Sequence, residues 1–316
     1  QPEIIEKARA CEAYGSEVIQ LSVGPELFYV FLKLLEETQY FNASLYTPFS
    51  IRGIETLGQE IIEDCLGLTG KTPDMVVITN AGGGNVTGTA RGIRNATANH
   101  VTIVGASVNL KGLHMASDID FNRKSFTTGH TGFGIPFITN PDRSDVPRSA
   151  ARPLRYLDRY VSVRQGQVFF ITEALTILEG IERGPAGNTS LAAAFHLATE
   201  LSEDQIIVVQ ETEYTGAGKH HQAQLSFARD RGIDIAFGDP KTEIPGKSII
   251  LPRSIHDLTT EEIDLRSIRT SYVRHALKLH ASYTEQDLAF LAQETNQSLE
   301  ETSELIYQLT TEEETI

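Results

Sequence analysis

Asp74-Met75-Val76-Val77-Ile78-Thr79-Asn80-Ala81-Gly82-Gly83-Gly84-Asn85-Val86-Thr87-Gly88-Thr89-Ala90-Arg91-Gly92 is the stretch that decides the fold. Residues 75–79 form a continuous apolar, largely β-branched run, which suits a strand covered on both faces. Gly82, Gly83 and Gly84 then free the backbone from Cβ sterics, so successive N–H groups can turn toward one point. A helix starting there adds its N-terminal partial charge, and the combination is a seat for a phosphate or carboxylate. A tight strand-to-helix turn that binds nothing is the plainer alternative. Gly84, Gly88 and Gly92 recur at helical spacing. A stripe without side chains lets the helix lie close to its sheet, which offsets the roughly 1 kcal/mol that each glycine costs in a helix.

The common nucleotide motifs do not fit. A dinucleotide fingerprint counted from Gly82 and Gly84 requires glycine where Thr87 stands. A P-loop requires Gly-Lys-Ser/Thr, and no lysine lies between Lys71 and Lys111.

Outward from this stretch, 316 residues suffice for two domains and a large core. A net charge of −15 argues against a nucleic-acid or acidic-membrane partner. Cys11 and Cys65 fall within amphipathic patterns without metal-ligand spacing, which reads as two reduced, buried thiols in a cytoplasmic protein. His114, His130, His220 and His221 show no ligand pattern either, so no metal is expected.

Upstream, residues 4–14 read as an amphipathic helix, 17–21 as a short strand, 25–37 as a helix and 41–46 as strand-like, with a change of direction at Pro48. A helix followed by a strand normally has a strand before it in a βαβ unit. With none here, the chain reads as the downstream part of a longer protein. The expected division is residues 1–46 as the remnant of a small α/β domain, 47–275 as a large α/β domain and 276–316 as a helical tail.

Downstream, residues 50–66 read as a helix and 101–106 as a strand. Residues 107–160 form a long polar segment around Asp120-Phe121-Asn122-Arg123-Lys124-Ser125-Phe126-Thr127-Thr128-Gly129-His130-Thr131-Gly132-Phe133-Gly134. It is either partner- or substrate-facing or a solvated loop. Residues 168–181 and those running to 201 read as helices, and 205–210 as a buried strand. Glu211 and Glu213 read as a solvated strand end, ahead of a second glycine turn, Thr215-Gly216-Ala217-Gly218-Lys219, at the sheet edge where open α/β folds bind ligands. Beyond Gly238 only loops and helices are expected.

Residues 74–92, 179–194 and 215–219 occur in the order seen in fold-type II pyridoxal-phosphate enzymes, the relatives of tryptophan synthase β, and the chain resembles that family. The resemblance implies a mostly parallel sheet flanked by helices beside an incomplete small domain. It implies pyridoxal 5'-phosphate as cofactor, its phosphate held by Gly82, Gly83, Gly84, Asn85 and Val86 and its pyridine nitrogen facing Thr215. The family's Schiff-base lysine is expected upstream of Gln1; Lys111 and Lys124 have no assigned part. Residues 24–28, 105–108, 111–116, 120–134 and 184–194 are similar to the thiolase β subunits of this family. That implies thiolytic cleavage of 2-amino-4-oxopentanoate by coenzyme A to alanine and acetyl-CoA, in ornithine degradation. A small α subunit is implied as partner, within an oligomer. Another fold-type II lyase or synthase chemistry, or an inactive cofactor-binding fragment, remains the alternative.

Overall fold

The structure is a computed structural model that describes residues 2–19, 27–43, 47–80, 83–109, 124–125, 146–147, 153–185, 187–211, 221–230, 232–244, 247–279 and 283–313. Two helices come first, α1 (Pro2–Ala13) and α2 (Leu27–Thr38). The strand expected at 17–21 does not form at 17–19, and Val18 and Ile19 are exposed. No neighbouring strand among the described residues offers them a ladder, and a strand is stabilised only by its partners. The region from 41 to 43 is likewise irregular, with Phe41 exposed. Cys11 is exposed, so only Cys65 is the buried thiol that the sequence suggests.

Helix α3 (Pro48–Thr69) is longer than its apolar stripe because both ends are capped. Thr47 accepts a hydrogen bond from the Ser50 N–H at 3.2 Å, Pro48 occupies the first turn, and left-handed Gly70 closes the helix onto the Leu66 carbonyl. Pro48 therefore starts a helix. Strand β1 (Met75–Thr79), helix α4 (Gly84–Ala96) and strand β2 (Thr102–Val108) follow. Within the long segment, β3 (Lys124–Ser125) and β4 (Val146–Pro147) pair antiparallel. The remainder of 110–152 lies outside the described residues.

The segment ends in a strand the sequence did not announce, β5 (Arg159–Val163), ahead of α5 (Gln165–Glu179) and α6 (Thr189–Leu197). Then come β6 (Ile207–Gln210), α7 (His221–Asp230), β7 (Asp234–Phe237), β8 (Ser248–Leu251) and β9 (Glu261–Glu262). The strands after Gly238 correct the expectation of loops and helices alone. They are two to four residues long and gain their stability from partners, β8 from β7 and α5 and β9 from β5 far upstream.

The main sheet has the order β6-β1-β2-β5-β9, parallel except for β9. All five residues of β1 are buried, as its unbroken apolar run requires of a central strand covered on both faces. Val76 and Ile78 join Val86, Ala90 and Ile93 of α4 on one face, while Met75 and Val77 join Ile171 of α5 and Ala192 and Ala193 of α6 on the other. Strands β7 and β8 form a second parallel pair against α5. There Gly166 passes so close that a Cβ would sit 1.8 Å from the Ile250 carbonyl oxygen. Glu243 staples this junction by accepting from the N–H groups of Gln165, Gly166 and Ile250 at 2.9, 2.8 and 3.2 Å. Burial pushes its carboxyl up to about 7, against donors that favour the charged form.

Helices α8 (Leu265–Leu279), α9 (Glu285–Thr295) and α10 (Leu299–Glu313) pack around Val273, Leu291, Ile306 and Leu309. Leu265 and Ile268 of α8 also pack on the main core. Among the described residues no helix is long and apolar enough to cross a membrane, and no cluster of His, Cys, Asp and Glu could hold a metal ion.

Candidate functional site

The turn between β1 and α4 opens at the carboxyl edge of the main sheet. Gly83 is the N-cap of α4 with φ 84°, a left-handed conformation that side chains with a Cβ resist, and no side chain caps the helix. The first main-chain bond of the helix runs from the Thr87 N–H to the Gly83 carbonyl at 3.0 Å. The N–H groups of Gly84, Asn85 and Val86 therefore have no acceptor within the helix. Val86 anchors this turn through a fully buried side chain in the core. Backbone donors and a helix dipole thus converge where no side chain competes for them. Of the residues expected to hold the phosphate, Gly83, Gly84, Asn85 and Val86 stand together at this helix start; Gly82, and Thr215 expected at the pyridine nitrogen, lie outside the described residues.

The glycine stripe of α4 faces α3, not the sheet. A Cβ on Gly92 would lie 2.1 Å from the Glu55 carbonyl oxygen, one on Gly88 2.7 Å from the Ile54 Cβ, and one on Gly58 2.2 Å from the Thr89 carbonyl oxygen. The two helices cross backbone to backbone, and Glu55, buried at the crossing, pairs with Arg52 and Arg91. Sheet contact falls to Val86, Ala90 and Ile93 instead. Helical spacing identified the smooth face but not what it meets.

Polar side chains line the strand ends beside the turn. The Asn80 amide donates to the Tyr160 hydroxyl at 2.7 Å, and Ser107 Oγ donates to the Asn80 carbonyl at 2.7 Å. Ser107 Oγ and the Tyr160 hydroxyl are also 2.7 Å apart, so the tyrosine proton completes the ring by donating to the serine. Burial drives the Tyr160 phenol well above its ordinary range, so it remains a donor. Gln210 Nε2 donates to Asn85 Oδ1 at 3.1 Å. Asn80 Oδ1, Asn85 Nδ2 and Gln210 Oε1 are buried and have no partner among the described residues. Orphaned polar atoms beside free helix N–H groups mark a place where a polar ligand belongs. The sequence singled out neither Asn80, Ser107 and Tyr160 nor Gln210, because their meeting depends on four strands lying side by side.

On the opposite face the Ser190 N–H donates to Thr79 Oγ1 at 3.0 Å, and Ser190 Oγ donates to the Gln210 carbonyl at 2.9 Å. This ties the ends of β1 and β6 to the start of α6. Next to it Asn188, with its amide nitrogen turned to Glu211, donates to both carboxylate oxygens at 3.1 and 2.9 Å. Glu211 is therefore not the solvated strand end expected from alternation. Burial pushes its carboxyl up to about 7, against the pull of Arg183. As pH rises from the ordinary carboxylate range to about 7, the folded chain holds a proton that the unfolded chain has released, so stability falls across that window. Glu211→Gln keeps an acceptor for Asn188 and removes this charge. Relative to the parent, its melting temperature is expected to gain roughly 2–4 °C between acid and mildly alkaline buffer. Thermal unfolding at a series of pH values checks this, and parallel curves would show that Glu211 does not titrate there.

Residues 2–213 match the model of a family described as pyridoxal-phosphate dependent enzyme. Two curated relatives, each described as a 2-amino-4-ketopentanoate thiolase beta subunit, are 64% identical to this chain. One, from an unidentified prokaryote, aligns over 297 residues, which is 93% of this chain and 63% of the relative. The other, from Acetoanaerobium sticklandii, aligns over 302 residues, 95% of this chain and 64% of the relative. The chain thus spans less than two thirds of the length of either. Among solved structures, a lysine-to-alanine mutant of O-ureido-L-serine synthase with O-ureido-L-serine bound is similar at a TM-score of 0.51 and 18% identity, covering 73% of this chain and 65% of the other. At that identity the likeness speaks for the fold alone, and it agrees with the mostly parallel sheet flanked by helices. With two thirds of its length matched by one family model, and with a glycine-led helix start at the sheet edge, the chain belongs to the pyridoxal-phosphate dependent enzymes.

Proposed function

We propose that this chain belongs to the β subunit of a pyridoxal-phosphate-dependent thiolase, which cleaves 2-amino-4-oxopentanoate with coenzyme A to alanine and acetyl-CoA. The observation that carries this reading is 64% identity over nearly the whole chain to relatives that bear the thiolase description. The site residues fit the cofactor's phosphate. Among the described residues the N–H groups of Gly84, Asn85 and Val86 have no acceptor within α4, left-handed Gly83 opens the approach, and buried Asn85 Nδ2 lacks an acceptor. Gly82 and Thr215 complete the proposed set, with Thr215 meeting the pyridine nitrogen through a neutral hydroxyl.

Bound there, pyridoxal phosphate supplies conjugation that stabilises carbanion character next to an amino-acid Cα. The chain's own part is orientation. Helix α4 holds the phosphate, and the links from Ser190 to Thr79 and to the Gln210 carbonyl fix the strand ends on which the rest of the cofactor must rest. In the overall reaction the C3–C4 bond of the substrate breaks, the acetyl carbon bonds to the coenzyme A sulfur, and the thiol proton is balanced by a proton gained at C3. A small α subunit as partner, an oligomeric assembly, a cytoplasmic setting in ornithine degradation, and a division at about residues 46 and 275 complete the reading.

The test is to incubate the full-length β subunit, together with the α subunit, with 2-amino-4-oxopentanoate, with and without coenzyme A. Equal amounts of alanine and acetyl-CoA, formed only when coenzyme A is present, are expected. Turnover of the amino acid at an undiminished rate without coenzyme A, releasing other products, would replace the thiolase by a lyase.

A further inference from the structure

Two side-chain amides meet beside the helix start. Gln210 ends β6, in register with Ile78 of β1, and is only 5% exposed. Its Nε2 donates to Asn85 Oδ1 at 3.1 Å, and Asn85 is the second residue of α4, two places after left-handed Gly83. The pair leaves one amide nitrogen and one amide oxygen, Asn85 Nδ2 and Gln210 Oε1, buried and without partners among the described residues. Turning both amides over would exchange the two roles and still leave one donor and one acceptor unused. An anion on the N–H groups of Gly84, Asn85 and Val86 selects the orientation observed, because the reversed pair would leave Asn85 Oδ1, not Nδ2, to meet the negative charge.

We infer that Gln210 is a positioning residue for the phosphate seat, acting through Asn85. It accounts for Asn85 Oδ1, so that Asn85 Nδ2 is held free to donate beside the helix's backbone N–H groups. The inference rests on the phosphate reading of the seat and adds to it a side-chain donor and the residue that orients that donor. Gln210 suits the role because it is held from both sides. Its backbone carbonyl accepts from Ser190 Oγ at 2.9 Å on one face of the sheet while its side chain reaches Asn85 on the other. An asparagine near a helix start is otherwise free to turn its amide to water or to its own backbone. Because β6 leads into residues 211–219, one residue links the phosphate seat to the turn proposed to meet the pyridine ring.

The test is titration of the full-length protein with pyridoxal phosphate, in parent, Gln210→Met, Asn85→Ala and the double variant. Gln210→Met removes the amide at similar volume and is expected to raise the cofactor Kd by about threefold to tenfold, the value of roughly one hydrogen bond. Asn85→Ala is expected to lose a comparable factor, and the double variant no more than the larger single loss, since both remove one donor. The phosphorus NMR resonance of the bound cofactor is expected to move in Gln210→Met while the unfolding midpoint stays, which a purely structural role would not produce. Gln210→Glu keeps the length of the side chain and keeps the test open where methionine disturbs folding. Its carboxylate takes the Asn85 N–H for itself and adds negative charge, so its loss is expected to be larger. Unchanged affinity and an unchanged phosphorus resonance in Gln210→Met, or losses that simply multiply in the double variant, would overturn the inference. Gly83→Val separates the levels. If it binds cofactor normally, the seat falls and the inference with it; if it loses cofactor while Gln210→Met does not, only the positioning role falls.

Discussion

Gly83→Val is expected to cost the full-length protein its tight binding of pyridoxal phosphate, raising the Kd by at least about a hundredfold. Two effects act at one position. Gly83 sits at φ 84°, where a residue with a Cβ is strained by roughly 1–2 kcal/mol and a β-branched one by more. The strain would be relieved by turning the peptide, which swings the N–H groups of Gly84 and Asn85 away from their common target. The branched side chain would also stand where the helix start must admit an anion. Each backbone donor lost to a charged acceptor is worth about 1.5–3 kcal/mol, so two suffice for the factor stated. Absorbance titration measures it. Gly83→Ala, with less bulk and the same unfavourable φ, should fall between parent and valine. Parent-like affinity in Gly83→Val would remove the phosphate from this turn.

The second large effect is on stability, at the crossing of α3 and α4. Gly92→Ala is expected to destabilise the protein by about 3 kcal/mol or more, although alanine is the better helix former by roughly 1 kcal/mol. The new Cβ would lie 2.1 Å from the Glu55 carbonyl oxygen and 2.9 Å from its carbon. Those are main-chain atoms, so the helices must part. Parting them also disturbs buried Glu55 and its pairs with Arg52 and Arg91. Gly53, on the same α3, would meet nothing within 4 Å of an added Cβ and supplies the control. Gly53→Ala should leave stability equal or improved by up to about 1 kcal/mol. Denaturant unfolding of the two variants side by side decides the matter. Equal midpoints would mean that the glycine stripe is not a close crossing.

These expectations draw on features that differ in how far the sequence reveals them. The β1 run, the left-handed glycine before α4 and the ends of α3 at Thr47 and Gly70 are local. Each follows from which residues alternate, which carry a Cβ and which can cap, so the strand, the turn and the helices were legible, although the reading of 50–66 stopped short of the capped ends of α3. The short strands were not. Strand β5 follows a long segment without periodicity, and β9 is held by Tyr160 and Val161, whose distance along the chain no local pattern encodes. Residues 17–19 carry a plausible strand pattern and form none, for want of a neighbour among the described residues.

The same division runs through the site. The composition of residues 82–86 announced a backbone that can present donors. Nothing local announced that Gln210 reaches Asn85 across the sheet edge, or that Tyr160 closes a ring with Asn80 and Ser107. Alternation placed Glu211 at a strand end and left it solvated. Asn188 donates to it and burial raises its pKa, which is a property of the assembled fold. Helical spacing showed that Gly84, Gly88 and Gly92 share one face, and only packing decided that Gly88 and Gly92 meet α3. Backbone sterics and side-chain periodicity act over a few residues and are written in the sequence. Desolvation, close helix contact and the pairing of buried amides depend on which distant groups fold together, so they belong to the tertiary structure alone.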